Sequence, residues 1–193
     1  MTTVMWESQF GASHEGRAAA VLDDGSEPKP ALFDAGSSAE VYQTSDWWVY
    51  DGTLGAPRAS ALRAACSCGW RGEEQHTVDW RRIDPDAPDD YDVSGPYRAW
   101  KRHVDAVERQ TVPLPADVQD LLEQVRQRLT VLAEDAPLAA LRAIAALEET
   151  VAETGQSAVS GVRQDELDWG AIATKLGLTE ADSRTRLYKY NLY

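Results

Sequence analysis

Ala65-Cys66-Ser67-Cys68-Gly69-Trp70-Arg71-Gly72 holds both cysteines of the 193-residue chain. Two of its three histidines, His76 and His103, lie downstream. Thiolates and imidazoles are the preferred donors to a tetrahedral metal ion such as zinc. Two thiolates in one tight turn make half of such a site. Glycine after them lets the chain turn sharply, often through positive φ, so that both sulfurs face the same way. The spacing is Cys-x-Cys, where the usual knuckle has Cys-x-x-Cys. The expected ligands are Cys66, Cys68, His76 and His103, and the expected ion is a structural Zn²⁺. One histidine with a carboxylate, or with His14, is the other way to complete the set. A reduced, partly buried cysteine pair without metal is the main alternative. A redox-active thiol is a third, less favoured because that chemistry usually has Cys-x-x-Cys at a helix start. No His-Glu-x-x-His appears, so a metal here is expected to hold structure and not to catalyse.

Upstream, residues 41–50, VYQTSDWWVY, are rich in β-branched and aromatic types, and Gly52, Gly55 and Pro57 follow. With the apolar run Ala61 to Cys66 they suggest a hairpin or two neighbouring strands joined by a loop near 51–58. Trp47, Trp48 and Tyr50 are expected mainly in the core, with an aromatic platform as the alternative. Residues 1–40 are broken by turn chemistry at 23–30 and 34–38, with short candidate strands at Val4 to Phe10 and Ala18 to Leu22. Downstream, the acidic, proline-broken segment 84–92 is a loop. Gly95-Pro96 then opens a helix from Tyr97 to about Arg109, whose apolar stripe is Tyr97, Trp100, Val104 and Val107. His103 shares a face with Trp100, which suits a helix-borne ligand.

The pattern Cys66-Ser67-Cys68-Gly69-Trp70, followed by Trp100-Lys101-Arg102-His103, resembles a group of uncharacterised high-GC bacterial proteins with a Cys-x-Cys-Gly-Trp…Trp-x-x-His zinc domain. The resemblance covers roughly residues 47–104. It implies a small metal-binding domain and no established activity. Fifteen arginines against four lysines fit a high-GC origin.

Pro113 and Pro115 mark a boundary. From there to Glu134, Val118, Leu121, Leu122, Val125, Leu129 and Leu132 keep helical spacing. A second helix is expected from Pro137 to about Thr154, stopped by Gly155 and paired antiparallel with the first. Their spare apolar face also suits dimerisation, although core packing is the simpler expectation. Three further helices are expected in 156–193: Ser157 to Gln164, Asp168 to Leu176, and one beginning at Thr179, a capping residue with an acid three positions on. Trp169-x-x-Ile172-Ala173-x-x-Leu176-Gly177-Leu178-Thr179, with Arg184-x-Arg186-Leu187 after it, resembles the helix-turn-helix of sigma-region-4-like regulators. That resemblance covers about 35 residues. It implies that the last helix enters the major groove, with Thr179, Arg184, Arg186 and Lys189 as the expected DNA-contacting residues. Glu180 and Asp182 depart from the usual readers and repel phosphate.

The net charge is −13. Residues 1–57 carry nine acids and two bases, 58–109 ten and nine, and 110–193 thirteen and eight. Such acidity repels phosphate at long range, so DNA binding has to come from a local patch; solubility is its simpler meaning. No signal-peptide pattern, apolar spanning run, catalytic triad order or phosphate-binding glycine loop is present. The expectation is therefore a cytoplasmic, non-enzymatic α+β protein with no membrane partner. A small β-containing, metal-stapled domain (1–112, partly irregular over 1–40) precedes an all-α domain (113–193) ending in a helix-turn-helix-like unit (156–193). Double-stranded DNA is the expected partner. The alternative is a protein-interaction or self-associating adaptor whose trihelical end does not bind DNA.

Overall fold

Small side chains build the sheet. A computed structural model describes residues 5–34 and 41–190, without the side chains of residues 33, 34, 41 and 42. The loop expected at 34–38 falls largely outside that description, as do Val4 and residues 191–193. The chain is an α+β protein that divides into two compact units, Met1–Arg109 and Gln110–Tyr193.

In the first unit, β1 (Gly16–Val21) pairs antiparallel with β4 (Ala61–Cys66), and β4 pairs with the short β5 (His76–Thr77). The register sets Gly16 opposite Cys66, Ala18 opposite Ala64 and Ala20 opposite Leu62. Alternate residues of a strand share a face. That face packs against Ala99, Trp100 and Val104 of α1 (Ser94–Glu108) in a core that also takes in Trp6, Trp47 and Tyr50. The strands are alanine-rich because large rings lie directly on them. A Cβ at Gly16 would come within 2.5 Å of the Trp100 indole.

The stretch 41–50 does not pair with β4. Its β3 (Val41–Thr44) pairs with β2 (Ala31–Asp34) in a separate two-stranded sheet. Trp47–Val49 is a 3₁₀ turn, and Trp47 and Tyr50 are buried. The aromatic cluster is therefore core, with Trp47 against Trp48, Trp80 and Tyr91, and not an open platform. Among the described residues of the N-terminal end, only Trp6 makes strand-like bonds, an isolated bridge to Gly16.

The second unit holds α2 (Ala116–Asp135), α3 (Pro137–Gln164), α4 (Trp169–Leu176) and α5 (Glu180–Lys189). A single residue, Ala136, joins α2 to α3, and the two helices pack on one another. Gly155 does not stop α3, which runs unbroken for 28 residues. Glycine at 155 serves as space: a Cβ there would meet the Tyr190 ring at 2.5 Å. A second small core, Val159, Ile172 and Leu187 with Val162, Trp169 and Tyr190, ties the end of α3 to α4 and α5. Among the described residues no helix is long and apolar enough to cross a membrane.

Candidate metal centre

β4 ends at Cys66, and the next four residues make a tight turn. Gly69 donates its N–H to the Cys66 carbonyl at 3.0 Å, and Cys66 donates to the Trp70 carbonyl at 3.0 Å. Gly69 has φ +95°, a conformation that suits glycine and few other residues. The turn leaves Cys66 buried and Cys68 half-buried, with neither in a disulfide.

The Gly16–Cys66 pairing carries on past the end of the strand. The Ser67 N–H donates to the Glu15 carbonyl at 2.9 Å, and the Ser67 hydroxyl accepts from the Glu15 N–H at 3.0 Å. That hydroxyl also donates to the Ala12 carbonyl at 2.7 Å. The residue between the cysteines thus clamps the 3₁₀ turn Gly11–His14 against them. His14, buried at its end, lies with Nδ1 3.6 Å from Cys66 Sγ. α1 carries Trp100 into the core and, one turn on, His103, whose ring lies 5.3 Å from that of His14. His103 Nε2 is 3.4 Å from Cys68 Sγ, and its ring stacks on Trp70 at 4.4 Å with the planes 3° apart.

One donor atom from each of His14, Cys66, Cys68 and His103 lies within 4.8 Å of every other. These residues are close enough to hold a metal ion, and their geometry can be checked against one. Bonds of about 2.3 Å to sulfur and about 2.0–2.1 Å to nitrogen give a tetrahedron whose S···N edges are roughly 3.5 Å. The two S···N separations of 3.6 and 3.4 Å have that length. Two sulfurs and two imidazole nitrogens also form a donor set suited to a borderline-soft divalent ion.

The cysteine pair shares its first ionisation. A hydrogen bond from the Cys66 thiol holds Cys68 well below the ordinary thiol range, while donating that bond, together with burial, pushes Cys66 up. The pair therefore already favours one thiolate, at Cys68, and the thiolate is the form that binds metal.

Of the four expected ligands, the structure brings together Cys66, Cys68 and His103. His76 stands elsewhere, and His14 takes its place. The reason is register. His76 lies opposite Leu62 in the β4–β5 ladder, and Leu62 is four residues, about 13 Å of strand, from Cys66. The His76 ring instead covers the first turn of α1, where a Cβ at Gly95 would come within 2.5 Å of it. The set is therefore the alternative in which one histidine is joined by His14: His14 precedes β1 by two residues, and the β1–β4 pairing of segments some fifty residues apart brings it to the cysteines.

The residues expected to contact DNA all lie at the C-terminal end. Gly177, in the left-handed region at φ +65°, turns the chain between α4 and α5. Thr179 caps α5: its hydroxyl accepts from the Asp182 N–H at 3.1 Å and donates to the Asp182 carboxylate at 2.7 Å. Arg184 lies over the Trp169 ring at 5.2 Å and pairs with Glu180 at 3.4 Å. Arg186 is exposed, and Lys189 Nζ is 6.0 Å from the centre of the Tyr190 ring. Ala181, Arg184, Thr185 and Tyr188 are exposed at helical spacing on one face of α5. Comparison with known proteins found no matching family model, no similar curated protein and no similar solved structure.

Proposed function

We propose that the four-residue cluster is a structural zinc site and that the protein is a non-enzymatic, DNA-associated regulator. The zinc staples its first unit, and a helix-turn-helix in its second unit contacts duplex DNA. The observation that carries the zinc assignment is the convergence of two thiols and two imidazoles from three separate segments, with two S···N separations at the edge length of a zinc tetrahedron. Such a set suits zinc, and four protein donors leave no position for a substrate or an activated water. A structural role follows, and with it the absence of metal-centred catalysis.

Support for the DNA assignment comes from α4, the left-handed Gly177 turn and the capped α5. A second helix held this way can lie in the major groove. Its exposed face offers Arg184 and Thr185 to base edges, with Arg186 and Lys189 placed for phosphates. The exposed Arg184–Glu180 pair is weak enough to exchange for a base or phosphate. A second reading, an interaction module that does not bind DNA, draws on the acids Glu180 and Asp182 in the first turn of α5.

Fluorescence anisotropy with mixed-sequence duplexes, titrated with salt, separates the two. The regulator reading predicts binding that weakens steeply as salt rises and is lost in Arg184→Ala/Arg186→Ala. No binding at low salt, or binding unchanged in that variant, favours the interaction module.

A further inference from the structure

The hairpin of α2 and α3 is amphipathic, yet its apolar side is open. No residue of the 20-residue α2 is buried, and α3 buries only Ala140 and Val159. Ten large aliphatic side chains on the two helices are between 37% and 82% exposed. In water, isolated helices of this kind are marginal, and burial of an apolar face supplies most of a helix's stability. Soluble monomers rarely leave a contiguous apolar patch of more than a few hundred Å² uncovered.

We infer that α2 and α3 form an interface with a second copy of this chain, two hairpins related by a two-fold axis closing into a four-helix bundle. Area is the first argument. Leaving aside Val131 and Leu138, which helical spacing turns away from the stripes, the remaining eight leave a surface on the order of several hundred Å², approaching the ~800 Å² per partner that a stable interface covers. Shape is the second: a two-helix hairpin with an apolar side is half of a four-helix bundle, and its complement is another such hairpin. A two-fold contact is also closed, so it stops at the dimer. On α3, Leu141, Ile144 and Val151 share a face by helical spacing, and Leu121 and Leu122 are the most open apolar positions on the stripe of α2. This inference is independent of zinc and of DNA.

The test is sedimentation velocity on the full-length, metal-loaded protein between about 1 and 100 μM. Wild type is expected to sediment as a dimer. Leu122→Glu/Leu141→Glu buries charge at the interface and is expected to weaken the dimer by at least ~100-fold, while the helical circular dichroism persists because both positions are exposed in the protomer. Should that double variant fail to fold, Leu121→Lys, at the most open position on the stripe of α2, tests the same surface with a smaller shift toward monomer. A wild type that stays monomeric, as it would if another protein or another part of the chain covered this face, overturns the inference. So does a dimer that survives both variants.

Discussion

The two units solve the same problem in different ways. The first has short strands and little regular structure, yet it buries Trp6, Trp47, Tyr50, Leu62, Trp100 and Val104 in one core and gathers four side chains close enough to hold a metal ion at its edge. The second is almost entirely helical, yet among the described residues its buried hydrophobic cluster is a small one, where α3 meets α4 and α5. Regular secondary structure is therefore a poor guide to which unit stands alone. A small domain with little backbone regularity needs aromatic packing and a staple. A helical hairpin needs its open face covered.

The contrast breaks most sharply on removal of the proposed zinc. Six of the seven tryptophans lie in the first unit, so tryptophan fluorescence reports mainly on it, while the helical signal reports mainly on the second. Chelation, or Cys66→Ser/Cys68→Ser, is expected to cost several kcal/mol, since structural metal binding is coupled to folding. The fluorescence should shift to the red with most of the helical signal retained. Loss of both signals together would erase the distinction between the units.

A smaller effect is expected inside the first core. Trp100→Ala removes the ring that lies on Gly16, and denaturation followed by circular dichroism should show a loss of about 3–5 kcal/mol. The second unit responds less, and in opposite directions at two glycines of α3. Nothing lies within 4 Å of a Cβ at Gly161, whereas one at Gly155 meets Tyr190. Gly161→Ala should stabilise by about 0.5–1 kcal/mol through helix propensity alone. Gly155→Ala gains the same propensity but displaces the ring, typically at about 1–3 kcal/mol, and should destabilise. Equal effects at both sites would mean that Tyr190 does not pack on α3.

These differences also mark what could be read before the structure. Helical periodicity is local, so the stripe of α1, the stripe of α2 and the cap at Thr179 are legible from neighbouring residues. Gly155 misleads because glycine both ends helices and admits a ring, and the ring comes from a residue 35 positions later. Strand pairing is not local. The segment 41–50 has a strand's composition, but nothing in it specifies β2 as its partner, and Trp47–Val49 leaves the sheet altogether. The same non-locality explains the metal centre. Cys66, Cys68 and His103 are suggested by spacing and by the helix face shared with Trp100. His14 is one of the alternatives the sequence leaves open, and it is chosen only when β1 is set against β4, while the β4–β5 pairing holds His76 away from the cysteines. Ser67 was the signal within the motif: a short hydroxyl between two cysteines can bind the backbone of a neighbouring segment, and here that segment carries the fourth donor.

Elemental analysis of purified protein decides which histidines complete the site. Wild type should carry about one zinc per chain. His76→Ala should keep it, and His14→Ala should lose it or bind at least ~100-fold more weakly. Zinc absent from wild type, or retained in His14→Ala and lost in His76→Ala, would contradict the centre described here.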